Sequence, residues 1–314
     1  SLCISNLASN FRTHMHLYKS GCIDALMYSL VNFDDLYQIQ AVSSLRGLST
    51  NDDIRVEILK AGCLDLLLEL TCHDNVKLQA EVLKTLCNLA VDGCIGKNAD
   101  LVLRKINGER IISYLFSANS TYRLFGALTI GNILSKLELQ KSVLDYVAIG
   151  PLLASANRSD FETQRCIAYA MCNLCVDQTN QILIVKKGGL QRIYSLASSN
   201  DSKDRTAALC TIRGLAVAPK IQRDIVLLGG LKVLHLAVKS EECQKCQIYA
   251  TETICALSLH DENKIDIVDS GIIQSLMAFV KTKRMVGIGL ALKVIANCCE
   301  NENLHSEIIK SLNN

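Results

Sequence analysis

The 314-residue chain holds only two prolines, so few helix interiors are broken by a missing amide proton or a ring clash. Its 33 basic and 31 acidic residues leave a formal net charge of +2. That balance supplies no field for nucleic acid or for an anionic membrane surface. No apolar run reaches the ~18 residues of a membrane span, so direct membrane insertion is not expected. A Gly-rich phosphate loop, paired catalytic carboxylates and a supported Ser-His-Asp or Cys-His arrangement are all missing. The expectation is a non-enzyme with no catalytic residues and no cofactor. The first residues, where Arg12, His14 and His16 follow a few mixed side chains, lack the pattern of a signal peptide.

What is present is a repeat. The composition, 49% hydrophobic and 20% charged, excludes disorder. A single compact core rarely grows past about 250–300 residues, a limit that stacked repeats escape. Aligning the chain with itself gives a column at Asn6, Gly47, Asn88, Asn132, Asn173, Gly214, Ala256 and Asn297, with intervals of 41, 41, 44, 41, 41, 42 and 41 residues. A fixed period of this length marks a stacked repeat array. Fifteen residues after the column lie Gly21, Gly62, Val147, Gly188, Gly229 and Gly271, where glycine permits the positive φ of a sharp helix ending. Between the columns the pattern predicts three helices. Asn180–Lys187 ends at Gly188, Gly189–Ala197 follows, and a polar loop over Ser198–Asp204 leads into a longer third helix that Asn200, Asp201 or Ser202 can cap.

Counting from the column, positions −6, −5, −2 and +1 of the third helix form an apolar stripe. They read Ala41, Val42, Leu45, Leu48; Val82, Leu83, Leu86, Leu89; Ile167, Ala168, Met171, Leu174; and Ala208, Leu209, Ile212, Leu215. This face is assigned to the core. The opposite face, at −11, −7, −4 and 0, is neither apolar nor uniformly charged, as in Lys77, Glu81, Lys84, Asn88 or Glu162, Cys166, Tyr169, Asn173. A mixed face repeated along a stack is suited to binding.

The three-helix unit, the Gly junction and endings such as Cys172-Asn173-Leu174 and Arg213-Gly214-Leu215-Ala216 resemble armadillo repeats, over essentially Leu2 to Leu312. Arg165 to Val217 carries the resemblance most specifically, and the long arrays of the yeast vacuolar and ciliary or axonemal type are the members it looks most like. The resemblance implies an all-α, right-handed α-solenoid of about seven repeats. They run over 1–40, 41–79, 80–125, 126–164, 165–205, 206–246 and 247–287, with a partial repeat over 288–314. The start without Met and the partial last repeat lead us to expect a stretch of a longer array. Repeat 3 departs from the pattern: its Gly column arrives late, at Gly108, with extra residues in Asp92–Asn98 and a shortened Ala118–Thr121 loop.

In the family, third-helix Asn amides line a concave groove and bond the backbone of an extended partner. That role carries over to Asn88, Asn132, Asn173 and Asn297, and to Asn6. Nuclear-import members pair this Asn with a Trp four residues earlier. Here those positions hold Lys84, Leu128, Tyr169 and Lys293, and the chain has no Trp. The candidate groove residues are therefore Asn88, Asn132, Asn173 and Asn297 with Lys84, Phe125, Leu128, Tyr169, Tyr249 and Arg213. The expected function is a scaffold or adaptor for a protein or peptide partner. The alternatives are a structural component of a ciliary, axonemal or cytoskeletal assembly and a membrane-recruited adaptor of the vacuolar type.

Fifteen cysteines fall mostly at small apolar helix positions, which fits a reducing, cytoplasmic compartment better than a disulfide framework. Cys172-x-x-Cys175 and Cys243-x-x-Cys246 lie too far apart for one zinc site; they read as small helix positions, with Cys243/Cys246 the better redox candidate. His14 and His16 do not share a helix face, so no metal site is assigned. Lys281-Thr282-Lys283-Arg284 reads as a solvated loop.

Overall fold

The computed structural model of the chain describes residues 2–91, 108–135, 140, 149–156, 160–240, 242–281 and 285–313. Among them every regular element is a helix. Contacts divide the chain into two compact units, Ser1–Ser159 and Asp160–Asn314.

The second unit shows the three-helix cycle most fully. The third helix Phe161–Leu174 leads to Gln178–Lys186, Gly189–Ala197 and the next third helix, Ser202–Leu215. Pro219–Leu227, Gly230–Lys239 and Gln244–Leu257 repeat the cycle, as do Asp261–Asp269, Ile272–Lys281 and Met285–Cys299, and His305–Asn313 follows. The first unit carries Leu2–Ala8, then His14–Lys19, Cys22–Asn32 and Asp35–Leu48, then Asp52–Lys60, Cys63–Leu70 and Val76–Leu89. Gly108–Leu115, Ser120–Leu134 and Ile149–Ala156 complete it. The insertion at Asp92–Asn98, the column residue Val147 and Thr282–Arg284 of the basic loop lie outside the described residues.

The junction glycines take the positive φ their spacing predicts: 73° at Gly21, 81° at Gly62, 78° at Gly188, 93° at Gly229 and 75° at Gly271. The loop before Ser202–Leu215 is shorter than the expected Ser198–Asp204. The Asp201 carboxylate accepts from the Lys203 amide and starts the helix at Ser202. The assigned core stripe is buried in all four repeats, from Ala41, Val42, Leu45 and Leu48 to Ala208, Leu209, Ile212 and Leu215. Each large member contributes about 1.5–3 kcal/mol by leaving water.

A hydrogen bond the sequence reading did not foresee recurs at the ends of seven third helices among the described residues. The last carbonyls of a helix have no intrahelical donor. Here a side chain from the following first helix, six residues further on, reaches back to one of them. His14 Nε2 donates to the Ala8 carbonyl at 2.8 Å and Arg55 Nε to Ser49 at 2.9 Å. Gln140 Nε2 donates to Leu134 at 3.0 Å, and Gln181 to Cys175. Gln222 donates to Ala216 at 2.7 Å, Asn263 to Leu257 at 3.1 Å and His305 to Cys299 at 2.8 Å. A parallel device stands nine residues before the column. Gln38 donates to the Leu30 carbonyl at 2.8 Å, Arg123 to Ser117 at 2.8 Å, Arg205 to Ser199 at 2.9 Å and Gln247 to Val238 at 3.0 Å. Both chain reversals in a repeat are thus closed by a long polar side chain from the helix that follows.

Where the column holds Gly, the backbone approaches instead. A Cβ on Gly214 would sit 2.9 Å from Cys175 Cβ. The nearby Gln181 amide also donates to the Gly214 carbonyl at 3.1 Å.

Two stability changes follow. Replacing the buried Gln222 by Leu keeps the volume but strands the Ala216 carbonyl, so the urea midpoint should fall by the equivalent of about 1–2 kcal/mol. Gln222→His should recover most of the loss, since His fills the same place at 14 and 305. Gly214→Ala should cost about 1–3 kcal/mol by overpacking against Cys175. Unfolding curves indistinguishable from the native chain would refute either account.

Candidate protein-binding groove

In the second unit the third helices Phe161–Leu174, Ser202–Leu215 and Gln244–Leu257 pack in series. Their mixed faces assemble one continuous set of contacts. Arg213 Nη1 lies 3.0 Å from Glu252 Oε2 on the next helix. The same guanidinium stacks 4.6 Å from the centre of the Tyr249 ring, a cation–π contact that fixes both side chains. Cys172 and Cys210 bring their sulfurs to 3.1 Å, and Arg213 Nη2 stands 4.0 Å from the Cys210 sulfur. Tyr169 is 43% exposed. Partial burial, with the nearby Cys210 adding to it, raises the hydroxyls of Tyr169 and Tyr249 above the usual tyrosine range. Both therefore stay neutral near pH 7 and can donate. An open cleft of 730 Å³ runs through this cluster, with Cys172, Arg213 and Glu252 among its lining residues. Three residues after the column, the exposed Val176 and Val217 line the cleft, and the exposed Leu259 holds the same place one repeat on. Sequence reasoning missed this row; its signal was an apolar residue recurring at column +3.

The first unit repeats the chemistry with other residues. Arg46 Nε pairs with Glu81 Oε2 at 2.9 Å, and Lys84 Nζ with Glu81 Oε1 at 2.7 Å. Lys84 also lies 5.8 Å over the Phe125 ring. The expected Lys84, Asn88, Phe125, Leu128 and Asn132 are all half-buried on this face.

The Asn column works differently from a free ladder of amides. Asn88 Nδ2 donates to the Arg46 carbonyl and to Ser49 Oγ, each at 3.2 Å. Asn132 Nδ2 donates to the Cys87 carbonyl at 3.0 Å. Each amide nitrogen therefore clasps the end of the preceding third helix, and the amide oxygen is the atom it can offer a partner. Asn297 Nδ2 donates to Ser258 Oγ at 2.9 Å and is 8% exposed, so it lies beneath the surface. Asn173 is half-buried. Among the described residues no group of three or more His, Cys, Asp or Glu side chains is placed to hold a metal.

Comparison with known proteins points the same way. The model of the armadillo/beta-catenin-like repeat matches residues 51–91, which contain one full three-helix unit with Gly62 and Asn88. Vacuolar protein 8 of Saccharomyces cerevisiae is 28% identical over 142 residues, 44% of this chain and 24% of that protein. Its Yarrowia lipolytica counterpart is 29% identical over 105 residues, 33% of this chain and 18% of that protein. The matches thus span about a quarter or less of these relatives. A crystal structure of an engineered protein superposes over 98% of this chain and 75% of its own, with a TM-score of 0.87 at 22% identity. A designed armadillo repeat protein superposes over 74% of this chain and 98% of its own, with a TM-score of 0.68 at 15% identity. Residues 51–91 thus match an armadillo repeat, and the chain has the all-α solenoid fold seen in armadillo-repeat structures.

Proposed function

We propose that the chain is a scaffold that holds a protein partner in extended form on the mixed faces of its third helices. The observation that carries this reading is the cleft of the second unit. Tyr169 and Tyr249 offer rigid amphipathic surface, and ordering them costs little entropy. Val176, Val217 and Leu259 offer an apolar margin at one-repeat spacing. Arg213 and Glu252 are already paired, so the floor is polar yet electrically balanced. Such a surface favours a segment with apolar or aromatic side chains spaced along an extended backbone. The first unit, with Asn88, Asn132, Lys84, Phe125 and Leu128, offers a second surface of the same kind.

The likeness to vacuolar protein 8 favours a second reading, an adaptor that works at an organelle surface. None of the described helices is long and apolar enough to cross a membrane, so such recruitment would run through contacts at the surface. An architectural role in a cytoskeletal or ciliary assembly predicts instead that the isolated chain aggregates or unfolds.

Panning a library of linear peptides on the intact chain tests the groove. Peptides selected on the native chain should bind Tyr169→Ala/Tyr249→Ala roughly 10–100-fold more weakly, as loss of two central aromatic anchors implies. The helical signal should not change and the melting temperature should fall only slightly, because Tyr169 is 43% exposed and Tyr249 gives up its contact with Arg213 rather than a place in the core. Equal binding by the double variant would place the partner elsewhere.

A further inference from the structure

The two Cys-x-x-Cys motifs draw the eye in the sequence, yet the structure pairs a different set. Cys172 on Phe161–Leu174 meets Cys210 on Ser202–Leu215, 38 positions further along the chain, with 3.1 Å between their sulfurs. Both are half-exposed and both line the cleft. A disulfide sulfur pair stands about 2.05 Å apart, so closing the bond takes a movement of about 1 Å. The backbones are already close here. One turn further along the same two helices, Gly214 faces Cys175 so tightly that a Cβ could not fit without a shift. Cys175, the other half of its motif, is buried.

We propose that Cys172 and Cys210 form a peroxide-sensitive thiol pair that closes to a disulfide across two adjacent third helices on the floor of the cleft. The attacking sulfur is Cys210. The Cys172 S–H donates to it and holds its thiol well below the usual range; burial opposes this, and the Arg213 guanidinium reinforces it. Facing it are Glu252, which is paired with Arg213, and the neutral hydroxyls of Tyr169 and Tyr249. The Cys210 thiolate attacks one oxygen of hydrogen peroxide: an S–O bond forms, the O–O bond breaks, and hydroxide leaves. The Cys172 sulfur then attacks the Cys210 sulfenic sulfur: the S–S bond forms, the S–O bond breaks, and the Cys172 proton leaves with that oxygen as water. With the proton Cys210 gave up on ionising, one peroxide and two thiols yield one disulfide and two waters. A small-molecule thiol reverses the step by exchange. The pair stands whether or not a peptide is the partner of the cleft.

The competing pair is Cys243 and Cys246. Cys246 is buried, and Cys243 serves as a helix cap, its sulfur accepting from the Cys246 amide. Titrating the reduced native chain with hydrogen peroxide and mapping the alkylated peptides decides between them. The expected result is a loss of about 2 Da and a crosslinked peptide joining Cys172 to Cys210, reversed by dithiothreitol. In Cys172→Ser the crosslink disappears and Cys210 is trapped as a sulfenic acid that a 1,3-dicarbonyl reagent tags. In Cys210→Ser neither product forms. A crosslink confined to Cys243–Cys246 or Cys172–Cys175, or no crosslink once other thiols are oxidised, overturns the proposal. The native-chain map decides the matter even if a serine variant folds poorly.

Discussion

Among the described residues the chain reverses direction where a third helix stops, and one recurring hydrogen bond closes that stop. A helix that ends inside a packed array exposes carbonyls that water does not reach, and each one left without a donor is costly. The side chain six residues on satisfies one of them and also fixes where the next helix starts. His14, Arg55, Gln181, Gln222 and His305 all occupy this place. With the reversal fixed, the next third helix arrives in register, and the core stripe and the mixed face follow. Arg55 extends the logic across repeats. Its Nη1 donates to the Val91 carbonyl at 2.8 Å, so a single buried guanidinium joins two reversals.

The column residue sets how neighbouring third helices meet. Asn88 and Asn132 span to the preceding helix through an amide, whereas Gly214 lets the backbone itself approach. These are two solutions to one spacing problem. The Asn solution keeps a polar group at the face, with part of its hydrogen-bonding capacity free. The Gly solution removes the side chain and opens a cleft beside Cys172 and Cys210. A break in the Asn column is thus a place where the surface changes from ladder to hollow.

The period of about 41 residues, the junction glycines and the core stripe were legible because each demands a particular residue class at a fixed place. Only Gly tolerates the junction φ, and only apolar residues survive the stripe. The reach-back bond was not legible because it demands only a long donor. His, Arg, Gln and Asn all qualify, so no letter recurs. The start of Ser202–Leu215 was placed late because three polar residues in a row could cap it, and the sequence does not rank them. The Cys172–Cys210 pair was hidden for another reason. Cysteines are paired by eye when they are near in sequence, yet a repeat of this length brings together residues about 40 apart. The mixed third-helix face was legible from the repeat pattern: Lys84 and Phe125 lie on it in the first unit, and Tyr169, Arg213 and Tyr249 in the second. It was less legible by role, because the amides and arginines turned out to hold neighbouring helices.

That internal engagement constrains what the groove can recognise. A carboxylate reaching for Arg213 would have to displace Glu252, and one reaching for Arg46 would displace Glu81. Exchanging one carboxylate for another at a partly exposed site gains little, since such pairs are worth only ~0–1 kcal/mol in the first place. An amide whose nitrogen already donates to a helix end offers a partner its oxygen as an acceptor. What remains unspent is apolar and aromatic surface: the face of Tyr169, the free side of Tyr249 and the row Val176, Val217, Leu259. The paired charges keep that surface soluble and hold Tyr249 upright through Arg213. On the proposed reading, affinity at this face rests on shape and buried area, and the ion pairs act on the geometry of the face rather than on a ligand.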